Sequence, residues 1–147
     1  MNYSHVSTEK ERFSLHDCRA VGAELTDGRL MFRFPDGIYY NEYDQDWPNT
    51  GPAEVEFAPD PLGDVTVYLF TESDGQTVRE EVPIGQMIER INARQWELEF
   101  AYRYDGYREI LYKCWVWQQR EPWSRECELR IPTREAAVFR WDPPAAK

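Results

Sequence analysis

The chain has 147 residues, 41% of them hydrophobic and 15% aromatic, which suits one domain with a sizeable core and excludes a disordered chain. A net charge of −10 excludes the electrostatics of a nucleic-acid or anionic-membrane binder; it leaves a basic protein partner, a cation or plain solubility. No apolar run approaches the roughly 20 residues that cross a bilayer, and three cysteines form neither an even disulfide set nor a close zinc spacing, so the expectation is a cytoplasmic protein with reduced thiols.

In chain order, residues 1–11 are polar, lack the apolar centre of a leader peptide and are expected to be a loose tail. Phe13, Leu15 and the cluster His16-Asp17-Cys18 follow. Val21, Ala23 and Leu25 then alternate with Gly22 and Glu24, and Leu30, Phe32 and Phe34 alternate with Met31 and Arg33. Asp27-Gly28 between them suits a type I′ turn, which pairs Leu25 with Leu30 and Ala23 with Phe32 and keeps one apolar face intact. Pro35 ends that strand. Ile38 to Trp47 is aromatic and acidic together and is expected to begin as a strand and become a loop. Ala53–Ala58 reads as a short strand. Asp64–Thr71 reads as a β-prone run that Asp74-Gly75 turns into Thr77–Val82.

Pro83 to Asn92 is the one helix that the spacing predicts, with Ile84, Met87, Ile88 and Ile91 on one stripe and Pro83 at its start. The stretch from Trp96 to Gln118 follows as a long β-hairpin. Its first strand puts Trp96, Leu98, Phe100, Tyr102 and Tyr104 on one face. Its second is apolar on both faces, which predicts a central position. A loop at Tyr104-Asp105-Gly106 would set Phe100 opposite Ile110 and Leu98 opposite Tyr112, and avoids placing Arg103 against Arg108. Cys127–Ile131 and Ala137–Trp141 are two final strands, and residues 142–147 a tail. About nine or ten strands result. The fold class is mainly β (α+β), a single domain with an antiparallel, meander-like sheet curled into a barrel or a sandwich.

Candidate chemistry is sparse. His16 and Cys18 offer metal ligands together with Cys114 or Cys127, or Cys18 a nucleophile; the plainer reading has Asp17 in a turn, His16 bonded to backbone and Cys18 opening a buried strand. Glu42, Asp44 and Asp46 alternate, but without the Gly and terminal Glu of a calcium loop. No phosphate loop, nucleophile elbow or zinc-protease helix occurs, so neither cofactor, metal nor catalytic residue is assigned. The aromatics carry more. Tyr39, Tyr40, Tyr43 and Trp47 interleave with Glu42, Asp44 and Asp46, and Trp123 lies in a proline-containing loop. These are the expected partner- or ligand-binding residues, whereas Trp96 and Trp115 are expected to pack on the sheet.

Phe13, Leu15, His16, Asp17 and Cys18, then Asp27, Gly28, Leu30, Phe32 and Phe34, carry a resemblance. This stretch resembles the start of several small uncharacterised bacterial proteins, some of toxin-immunity type. The resemblance implies a small, non-enzymatic, β-rich binding protein and assigns no residue. The expectation is thus a non-enzymatic protein meeting a basic protein partner through an acidic and aromatic surface. The alternative is a small-ligand binder with an aromatic-lined cavity.

Overall fold

The computed structural model describes residues 3–44 and 47–145. The described residues form strands β1 (His5–Ser7), β2 (Phe13–Ser14), β3 (Cys18–Ala20), β4 (Gly22–Thr26), β5 (Arg29–Phe34), β6 (Tyr39–Tyr40), β7 (Ala53–Phe57), β8 (Thr66–Ser73) and β9 (Gln76–Val82). Helix α1 (Ile84–Asn92) follows, then β10 (Trp96–Gly106), β11 (Glu109–Gln118), β12 (Ser124–Pro132) and β13 (Val138–Trp141). A five-stranded sheet runs β1-β13-β7-β5-β4, a six-stranded sheet β3-β10-β11-β12-β8-β9, and β2 pairs with β6. Every pairing is antiparallel. The described residues are mainly β with one α-helix, as the alternation and the single helical stripe predict.

The first hairpin keeps the expected register, Leu25 against Leu30 and Ala23 against Phe32. Asp27 and Gly28 both take positive φ (53° and 72°), the type I′ requirement. Asp74 and Gly75 repeat this at the β8–β9 turn, with φ of 50° and 77°. Contrary to the expected loose tail, His5–Ser7 forms the edge strand β1 on β13, and Lys10–Arg12 forms a 3-10 turn. At the other end Asp142 donates its N–H to the Pro52 carbonyl and accepts one from Gly51.

The long hairpin corrects the expected register. Phe100 faces Cys114 rather than Ile110, and the loop is Tyr107-Arg108, because Gly106 still pairs with Glu109. Arg103 faces Tyr112, not Arg108. The register shifts by one between Phe100 and Tyr102, so Ala101 is an extra, bulged residue. Before the bulge Trp96, Leu98 and Phe100 point into the core. After it the faces exchange: Tyr102 and Tyr104 are 58% and 50% exposed, and Arg103 turns inward to donate to the Tyr112 hydroxyl at 3.3 Å. β11 does lie inside the six-stranded sheet, but only one of its faces is covered, and Trp115, expected to pack, is 40% exposed.

One core joins the sheets. Phe32 and Phe34 of the five-stranded sheet meet Phe100 at 5.3 and 5.5 Å between ring centroids, and Phe57 meets Tyr112 at 5.9 Å. Met87 and Ile91 of α1 are buried in it, and the helix packs on β4, β8 and β10. The Asn92 side chain accepts from the Ala23 N–H at 3.0 Å and donates to its carbonyl at 2.8 Å, so it pairs the free edge of β4 as a strand would.

Candidate functional site: an aromatic cluster beside the bulge

Asp17 adopts a left-handed conformation (φ 62°), and its N–H bonds to the Phe100 carbonyl at 2.9 Å. That turn aims His16 away from the core and toward the bulge. His16 Nδ1 donates to the Ala101 carbonyl at 2.7 Å, and its Nε2 lies 3.4 Å from the Asp17 carboxylate. The bulge supplies that carbonyl, an acceptor that regular pairing would have aimed at a neighbouring strand. The imidazole meets Trp47 edge-on at 5.6 Å and Tyr102 at 5.4 Å, and Tyr39 packs on Trp47 at 3.8 Å between centroids. Trp47 stays 43% exposed. Four rings thus stand together at the surface, drawn from three distant parts of the chain.

The loop that carries Trp47 is held from behind. Asn49, 3% exposed, accepts from the Tyr40 N–H at 2.8 Å and donates to the carbonyls of Tyr40 and Tyr43 at 2.9 and 3.2 Å. Thr50 Oγ1 accepts from the Ile38 N–H at 2.8 Å. Gly37 (φ +90°) passes so near the Thr50 carbonyl that a Cβ would lie 2.3 Å from its oxygen. A side chain at 37 is therefore excluded twice, by backbone angle and by space.

The expected binding residues divide. Trp47 is exposed, and Tyr39, packed on it, is half-buried. Tyr40 and Tyr43 lean inward: Tyr40 stacks on Phe13 at 5.1 Å, and the Tyr43 hydroxyl accepts from Trp141 Nε1 at 3.2 Å. Glu42 is engaged by Arg12 at 2.6 Å, so its charge is largely answered within the chain; Asp44 is exposed, and Asp46 lies outside the described residues. Trp123 is 58% exposed, but it sits where its carbonyl accepts the Gln118 N–H, at the Trp96 end of the hairpin and away from the bulge. Sequence reasoning missed Tyr102, because alternation alone puts it inside, and Asn49, because an Asn beside a Pro reads as an ordinary turn residue.

The His16-Asp17-Cys18 geometry follows the plainer reading. Cys18 opens β3 and is buried, and burial pushes its thiol up to about 12. A thiol held protonated is a poor nucleophile and a poor ligand. Cys18, Phe100, Cys114 and Cys127 form one row across four strands, so Phe100 separates Cys18 from the other two. Burial also pushes Cys127 up to about 12 and Cys114 well above its ordinary range. Among the described residues no three His, Cys, Asp or Glu side chains gather to hold a metal ion. The crevice behind the cluster, lined by Phe13, Phe100, Tyr112 and Phe139, holds about 70 Å³, against roughly 300 Å³ for a small-molecule site. No described helix is long and apolar enough to cross a membrane.

Compared with known proteins, the chain matches no protein-family model, no curated protein and no solved structure.

Proposed function

We propose that the chain is a non-enzymatic, cytoplasmic binding protein. It meets a basic protein partner through the cluster of His16, Tyr39, Trp47 and Tyr102. One observation carries this reading: Trp47 and Tyr102 stay exposed beside the half-buried His16 and Tyr39, where His16 is bonded to the Ala101 carbonyl and Asn49 and Thr50 bond the backbone of the Trp47 loop. Exposed aromatics that are already ordered lose little entropy on binding and bury much apolar area. Asp17, Asp44 and the overall charge of −10 would steer a cationic partner toward them. The two sheets, read as an open sandwich, serve as the scaffold, and the immunity-type resemblance of residues 13–34 points to the same class of protein.

The test is affinity capture from the native host with the full chain and with a Trp47→Ala, Tyr102→Ala double variant. The parent should retain a basic protein, and the double variant should bind it about 30-fold or more weakly, as loss of hot-spot aromatics does. Equal retention by both chains would sink the reading.

A further inference from the structure

The two ends of the five-stranded sheet differ in what they carry. Its Phe34 and Ala53 end leads into the loop that carries Trp47. At the opposite end of β5 and β7, the β4–β5 turn, the segment 58–65, the junction of β9 with α1, and Arg134-Glu135 enclose a half-open cleft of about 940 Å³. That volume lies at the upper end of the roughly 300–1,000 Å³ of ligand pockets.

The cleft's chemistry is one-sided. Val65 and Ile84 form an apolar floor packed against the core, and Leu25 and Leu62 stand 45% and 96% exposed at its edge. The loop bearing Leu62 is not slack. Asp60 accepts from the Leu62 N–H at 2.9 Å, donates its own N–H to Pro132 at 2.7 Å and pairs with Arg134 at 3.5 Å. A leucine is therefore held out in water by a braced loop, next to another half-exposed leucine.

Five acids and two arginines line the cleft. Both arginines are already engaged, Arg29 by Glu56 and Glu135 and Arg134 by Asp60. Asp27, Asp64 and Glu81 form no ion pair among the described residues. Three prolines in the wall, Pro59, Pro61 and Pro83, offer no N–H donors, and the Pro83 carbonyl is already taken by the Gln86 and Met87 N–H groups. The amino end of α1 works against a cation with roughly half a positive charge, which three free carboxylates outweigh. The walls thus accept hydrogen bonds and attract positive charge, and the floor takes apolar side chains.

We propose that this cleft docks a peptide segment of a partner protein in which a lysine or arginine lies next to a bulky aliphatic or aromatic residue. The apolar residue covers Leu62 and the floor, and the cation meets the free carboxylates. The aromatic cluster at the far end of the sheet takes no part, so the site stands whether or not that cluster binds anything.

The test uses the full chain immobilised against a random nonapeptide library, followed by affinity measurement of the leading peptide by fluorescence anisotropy. Enriched sequences should pair Lys or Arg with Leu, Ile, Phe or Trp. Leu62→Ser, and separately the double variant Asp64→Asn, Glu81→Gln, should each weaken the leading peptide about tenfold or more. Added salt should weaken it further, and Trp47→Ala should leave it unchanged. All these substitutions fall on exposed side chains, and circular dichroism checks that each variant is folded. Several outcomes would overturn the site: enrichment of acidic or purely apolar peptides, of none at all, or of basic peptides lacking an apolar residue. Binding lost in Trp47→Ala but kept in both cleft variants would do so too, while supporting the aromatic cluster instead.

Discussion

Asn49 does more for the aromatic surface than any residue on it. Its side chain closes three hydrogen bonds to the backbone of Tyr40 and Tyr43, and it is buried. Asn49→Ala would strand one N–H and two carbonyls, and an unmet buried polar group costs about 1–3 kcal/mol. The expected result is a stability loss of about 2 kcal/mol by urea unfolding, with partner binding falling in parallel although no surface atom has changed. An Asn49→Ala chain that binds as the parent does would show that the loop is positioned by its rings alone. Glu54 makes a different residue-level case. It lies 9% exposed on β7, accepts from the Tyr3 hydroxyl and sits 3.6 Å from Arg33. Burial pushes its carboxyl above the ordinary range, against the pull of Arg140. Within that raised window the folded chain keeps a proton that the unfolded chain has released. Glu54 therefore favours folding below the window, and that contribution is lost as pH rises through it. Glu54→Gln keeps an acceptor for Tyr3 and removes the titration. Comparing unfolding at about pH 4 and about pH 8, the variant should lose less stability on going up than the parent does. An identical pH dependence in the two chains would refute it.

At the scale of elements, α1 shows where the periodicity argument succeeds and where it needs refining. The stripe of Ile84, Met87, Ile88 and Ile91 is real, but only Met87 and Ile91 are fully buried, at 0% and 1% exposure. Ile88 is half-buried. Truncation should follow depth rather than stripe membership: Met87→Ala costs about 2–5 kcal/mol, and Ile88→Ala distinctly less. Equal losses in thermal or urea unfolding would mean that the helix docks differently. The first hairpin was legible down to its register because two signals agreed there. Asp27-Gly28 tolerates the two positive φ angles of a type I′ turn, and only that loop keeps Ala23 and Phe32 on one face. The long hairpin had the same kind of signal in Asp105-Gly106, and it misled. The odd residue is absorbed by a bulge at Ala101, and alanine carries no mark of a bulge. That one residue also decides the site: it turns Tyr102 outward and frees the carbonyl that holds His16. Trp47 was legible as a loop tryptophan. Its neighbours were not, since they come from β6, from the turn before β3 and from β10, and no local pattern ties those three together.

The whole molecule stands or falls on the contact between its two sheets. Neither sheet buries an apolar face alone, and the rings that bridge them are few. Phe100, at 0% exposure, touches Phe32 and Phe34 across the gap and Tyr112 within its own sheet, where Tyr112 in turn meets Phe57. Phe100 is also the residue immediately before the bulge, so the same position anchors the core and starts the turn-out of Tyr102. Phe→Ala at such a site costs about 3–5 kcal/mol, a large share of the roughly 5–15 kcal/mol by which domains are stable. Phe100→Ala should lower the stability of both sheets together, because each covers the other's apolar face at this point. Hydrogen exchange separates the two sheets cleanly: amides of β7 report on the five-stranded sheet and amides of β11 on the six-stranded one. In the parent, the slowest amides of both strands should exchange with one common opening energy, and in Phe100→Ala both should fall by the same amount. If β11 stayed protected while β7 opened early, the sheets would be separable units. The His16–Ala101 hydrogen bond would then outlast the support of the Trp47 loop, and the four-ring cluster would come apart.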